Sequence, residues 1–200
     1  MSPCRARTLP FWEPLFPQYP GRPSLLAALS PVIAATAHWL TCAYPASGGA
    51  LASALCEAQA RQAVTVAAWL RYPTAMDAAL VQMAGPGGSA RLDWISGADA
   101  AGEAAHDEDS AWRTWVDEVV ASWAACLLTD PELVDLALAA LAEGGHTTDA
   151  PAEFRRLVAP DERDRQAAAL LRHPDLLAPV AGLHQSQLVN RLRPGRALIA

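Results

Sequence analysis

Residues Ala50–Arg71 read ALASALCEAQARQAVTVAAWLR, an alanine-rich run with no proline or glycine. Alanine and leucine are strong helix formers, whereas strands draw on β-branched and aromatic residues. Leu51, Leu55, Ala58, Thr65 and Trp69 fall along one side at helical spacing. The run predicts the longest helix of the chain, opened by the turn Ser47-Gly48-Gly49 and closed before Pro73.

The same composition extends in both directions. Alanine dominates the whole 200-residue chain, and 52% of its residues are hydrophobic. Such a chain has enough core to fold without a metal or disulfide staple, and it is too apolar for disorder. The fold class expected is all-α: a single compact domain of roughly eight to ten helices.

Helix boundaries are marked by proline. Trp69-Leu70-Arg71-Tyr72-Pro73, Leu127-Leu128-Thr129-Asp130-Pro131 and Leu170-Leu171-Arg172-His173-Pro174 repeat one pattern. Two apolar residues end a helix, a polar pair follows, and proline opens the next helix. Proline is at home in a first turn, where its missing N–H costs nothing. The pattern predicts abrupt corners, with helices over Pro73–Met83, Pro131–Glu143, Pro160–Arg172 and Pro174–Ala181. Pro151–Val158 and Leu183–Leu192 complete the C-terminal set. Because the prolines recur at unequal intervals, these corners do not read as a solenoid repeat.

Ala111–Leu128 carries a clear stripe, Trp112, Trp115, Val119, Trp123 and Cys126. Arg113, Asp117 and Glu118 lie opposite, so they read as a solvent face. Asp109 or Ser110 is placed to cap this helix. The acidic stretch Asp99–Asp109 before it reads as a solvated loop or a short helix running into the next helix, and Gly85–Ser89 as a linker.

Leu25–Tyr44 carries no formal charge and is about as long as a membrane span. Pro31, Thr36, His38 and Thr41 interrupt it, and Ser30-Pro31 reads as a helix restart. A buried helix pair, Ser24–Leu29 and Pro31–Ala43, is expected instead of a span, with peripheral membrane association left open. The lead before it is rich in proline, which fits a signal peptide poorly although Arg5, Arg7 and Arg22 precede the apolar run. The domain reading is thus an extended Pro-rich arm at 1–23, a helical domain at 24–192 and a tail at 193–200.

Several chemistries are excluded by composition. All fifteen basic residues are arginine, so lysine-dependent phosphate binding and Schiff-base chemistry are ruled out. The net charge of −6 and the scattered arginines argue against nucleic acid. Arg155, Arg156, Arg163 and Arg165 alternate with acids and read as a solvated, ion-paired face. Cys4, Cys42, Cys56 and Cys126 lack zinc-ligand spacing; the last three sit in apolar context and read as small buried residues in a reducing, cytoplasmic compartment. There is no nucleophile elbow and no dinucleotide fingerprint.

The sharpest metal pattern is Glu-x-x-His, at Glu103/His106 and Glu143/His146. With Glu57 and Glu118 it has the inventory of a di-iron helical bundle. Glycines beside both pairs and the uneven gaps between them favour surface residues. His38 could be a ligand, but its apolar helix reads as a core histidine; His184, followed by Gln-Ser-Gln, reads as exposed. No catalytic, cofactor or metal residue is therefore assigned. The leading expectation is a non-catalytic adaptor, chaperone-like or accessory subunit of a larger bacterial-type assembly, working through other proteins. The alternative is a metal- or cofactor-binding helical oxidoreductase. Candidate contact residues are Phe11, Trp12, Phe16 and Tyr19 in the arm, Trp94 outside the clear helices, and Arg191 and Arg193 near the end.

Overall fold

The computed structural model describes residues 25–97, 107–143 and 154–193. All regular structure there is helical, and no strand occurs among the described residues. The order is α1 (Leu25–Ala43), α2 (Gly49–Arg71), α3 (Ala75–Ala84), α4 (Ala90–Ser96), a 3₁₀ segment (Asp107–Trp115), α5 (Glu118–Thr129) and α6 (Pro131–Glu143). Four short helices follow: α7 (Arg155–Val158), α8 (Glu162–Ala167), α9 (Pro174–Ala181) and α10 (Gln185–Leu192).

The centre of the molecule is α2, which packs on α1, α5, α6, α7 and α8. Alanine explains how one helix serves so many neighbours. Ala60, Ala63, Ala67 and Ala68 of α2 and Ala121, Ala124 and Ala125 of α5 are all buried. Side chains this small let helix axes approach closely, and the larger Trp39, Leu40, Trp69, Trp123 and Phe154 fill the spaces between. The expected stripe on α2 is displaced by this arrangement. Leu51 is 63% exposed, whereas Cys56 and Gln59 are buried.

The expected helix Pro160–Arg172 is the shorter α8, opened by an Asp161/Asp164 capping box and ended at Ala168, and three further helix boundaries differ from the sequence reading. The expected helix pair before Ala43 is one continuous helix, α1, with Pro31 inside it. An interior proline costs a helix roughly 3 kcal/mol. Complete burial of Leu29, Val32, Ala37 and Leu40 around it outweighs that cost. Secondly, Ala111–Leu128 is not one helix. The 3₁₀ segment ends at Trp115, and α5 starts afresh with Asp117 as its cap, displacing Asp109 and Ser110 from that role. Oδ1 of Asp117 accepts from the amides of Val119 (2.8 Å) and Val120 (3.0 Å). Asp117 is accordingly buried, not on a solvent face. Thirdly, α3 begins after Pro73, because Thr74 and Asp77 form a reciprocal capping box one residue later. The other two corners form as expected: Pro131 opens α6 and Pro174 opens α9.

Candidate interaction surface

In three clusters of buried polar groups the bonding capacity is spent on neighbouring helices. Asp93 of α4 is 9% exposed. It accepts from Trp39 Nε1 (2.8 Å), Ser89 Oγ (2.7 Å) and Arg113 Nη1 (2.6 Å), tying α1, α4 and the 3₁₀ segment together. Burial raises its carboxyl pKa, but those hydrogen bonds prevail and hold it below the usual carboxylate value. Arg113, expected on the solvent side, therefore faces inward. Asp117 also accepts from the Tyr72 hydroxyl, and its amide donates to Thr36 Oγ1 (3.2 Å). Burial and the Asp117 charge push the Tyr72 phenol far up, so it stays a donor.

A third cluster knits the C-terminal helices to α2. Gln59, fully buried, donates to the Asp164 carbonyl (2.9 Å) and accepts from Arg172 Nε. Arg172 also donates to the carbonyls of Leu128 (3.2 Å) and Arg156 (2.7 Å), while Arg156 pairs with the fully buried Asp164. The Arg156 part of the expected solvated face is thus structural; Arg155, Arg163 and Arg165 are exposed.

His184 is not exposed as its neighbours suggest. Its side chain is mostly covered, and Nε2 lies 2.7 Å from Glu118 Oε1, which also pairs with Arg91 (3.0 Å). A carboxylate–imidazole pair of this kind could orient a general base. Here the second ring nitrogen, Nδ1, is itself buried without a partner among the described residues, so it offers no open face to a substrate.

Among the described residues the metal candidates do not assemble. Glu57 is exposed and pairs with Arg61, Glu118 is held as above, and Glu143 is exposed at the last position of α6. Glu103, His106 and His146 lie outside the described residues. No group of three or more metal-binding side chains forms among the described residues. His38 and Cys42, both expected in the core, are exposed on α1. The Trp112 and His38 rings meet in a T-shaped arrangement, with 4.5 Å between centroids. Cys56 and Cys126 are buried as expected.

What remains is an apolar outer surface. Met76, Leu80 and Met83 of α3 sit at i, i+4 and i+7, one above the other, and are 69%, 54% and 83% exposed. Ala78 and Val81 form the opposite, buried face. The helix is fixed at both ends. Thr74 and Asp77 cap its start, and Gly85, at φ +73°, ends it. From its inner side Gln82 Nε2 donates to the Ala28 carbonyl (2.9 Å), pinning α3 to α1. The sequence reading missed this face, although the spacing was visible.

Among the contact residues expected from sequence, Trp94 is 73% exposed, on α4 instead of outside the helices. Arg193 is exposed just past α10 and Arg191 is half-buried. Phe11, Trp12, Phe16 and Tyr19 lie outside the described residues. No helix among the described residues is long and apolar enough to cross a membrane. No known protein-family model, curated protein or solved structure matches the chain.

Proposed function

We propose that this chain is a non-catalytic helical adaptor or accessory subunit that binds another protein through the outer face of α3. One observation carries the reading: Met76, Leu80 and Met83 present a continuous apolar stripe to water on a helix locked in place. Large apolar side chains stacked in this way mark interaction surfaces, and methionine adapts its shape to a partner.

The magnitudes set the kind of contact. Burying one such side chain fully is worth about 1.5–3 kcal/mol. The three leave the equivalent of about two whole side chains in water, so covering them yields ~3–6 kcal/mol. Association itself costs about 4–15 kcal/mol. The α3 stripe is therefore the anchor of a wider interface, and the partner must reach beyond it. Trp94, on the adjoining helix in sequence, has the residue type most enriched in such anchors.

The test is a photo-cross-linking amino acid placed at position 83 of the full chain in the native host. We expect one discrete cross-linked protein of a different sequence, lost when the cross-linker is moved to the exposed position Asp175. Cross-linking to a second copy of this chain would replace the adaptor reading with self-association. An unselective ladder of products would remove it.

A further inference from the structure

We propose that His38 and Cys42 form a surface chelate for one thiophilic divalent cation of the zinc type. The two residues are one turn apart on α1, at i and i+4, and both are exposed. Imidazole and thiolate are the donor types that select such ions over magnesium or calcium. Cys42 Sγ lies 3.7 Å from His38 Nε2. With bonds of about 2.3 Å to sulfur and about 2.0 Å to nitrogen, that separation subtends about 119° at a shared ion. The tetrahedral angle is about 109°, so the bite suits the geometry zinc prefers.

Sulfur is nearly as close to Nδ1, at 4.0 Å. Chelation therefore requires the ring to turn about χ2 until the Nε2 lone pair faces the ion. That torsion is broad for histidine. Trp112 packs against the ring and limits where it can swing. The thiol must also lose its proton. Burial raises the Cys42 pKa, partly offset by the Arg113 charge, so the free side chain is a thiol. Binding replaces the S–H bond with a metal–sulfur bond and releases the proton to solvent. No third His, Cys, Asp or Glu joins the pair among the described residues. The remaining coordination positions would be taken by water or by a donor on another molecule.

Co²⁺ titration of the untagged full chain tests the site. We expect one ion per chain with a thiolate-to-metal charge-transfer band. Cys42→Ser should abolish the band. His38→Ala should weaken binding by about tenfold or more, the scale at which even outer-shell partners matter. Cys4→Ser should change nothing. Both site residues are exposed, so circular dichroism of the variants should match the native chain. Absence of the band, its survival in Cys42→Ser, or its loss in Cys4→Ser would overturn the proposal.

Discussion

Replacing Asp93 with alanine should destabilise the domain by about 3 kcal/mol. The figure follows from what each donor loses. The indole N–H of Trp39, on a side chain only 1% exposed, is left without an acceptor, and a buried unsatisfied donor costs about 1–3 kcal/mol. Ser89 can rotate its hydroxyl elsewhere. The Arg113 side chain is 33% exposed, so its charge returns to water and its ion pair contributes at most about 1 kcal/mol. Asp93→Asn keeps an acceptor for Trp39 and should cost about 1 kcal/mol. Urea unfolding followed by tryptophan fluorescence reads both values against a total stability of roughly 5–15 kcal/mol. The pH dependence gives a second readout. The folded carboxyl is held below its ordinary value of 3.8. Its contribution is therefore complete above that value and is lost as pH falls through the lower, folded one. The gap between native and Asp93→Asn should be constant near neutrality and narrow below about pH 4. An Asp93→Ala cost under about 0.5 kcal/mol, within the scatter of neutral surface changes, would refute the reasoning. So would a gap unchanged down to pH 3, below the ordinary value of 3.8.

Two further outcomes are expected from the same accounting. Gln59→Leu should cost about 1–3 kcal/mol, because it strands Arg172 Nε, while the Asp164 carbonyl keeps the Ala168 amide as a donor. Paired with Arg172→Met in a double-mutant cycle, it should show a coupling of about 1 kcal/mol or more by chemical denaturation. Pro31→Ala should stabilise the domain by about 1–3 kcal/mol, since it restores a helical N–H and removes ring crowding within α1. A thermal shift upward checks it; a downward shift would mean that Pro31 packs better than the helix it interrupts.

Most of the architecture could be read from the chain, for local reasons. Asp130-Pro131 marks a helix start because proline loses nothing at that position and Asp130 Oδ1 caps the amide of Glu132 at 2.9 Å. Ser30-Pro31 gives the same local signal, yet the helix runs through it, since burial across α1 outweighs one missing bond. The break between Trp115 and Glu118 was hidden because apolar residues three apart suit a 3₁₀ turn as well as an α-helix. Asp117 was the legible cap, followed by an acidic first-turn residue and two valines, but Asp109 competed for the role. The α2 stripe went astray at Leu51, because hydrophobicity ranks leucine above alanine. In a helix enclosed by five neighbours, space favours alanine. The α3 face was missed for a related reason. The spacing of Met76, Leu80 and Met83 announces an apolar side, but periodicity is identical whether that side meets the core or water. Only packing shows that Ala78 and Val81 had already taken the inner side.

The account rests on the outer face of α3 as a protein-binding anchor. Its most direct test is the affinity of the purified cross-linked partner for the native chain and for Met76→Glu/Met83→Glu. Both positions are exposed, so the variant should keep the native helical spectrum and melting temperature. We expect its affinity to fall by about fiftyfold or more, since the two expose the equivalent of about one and a half side chains, worth at least about 2.3 kcal/mol when covered. An unchanged affinity in a folded double variant would contradict it.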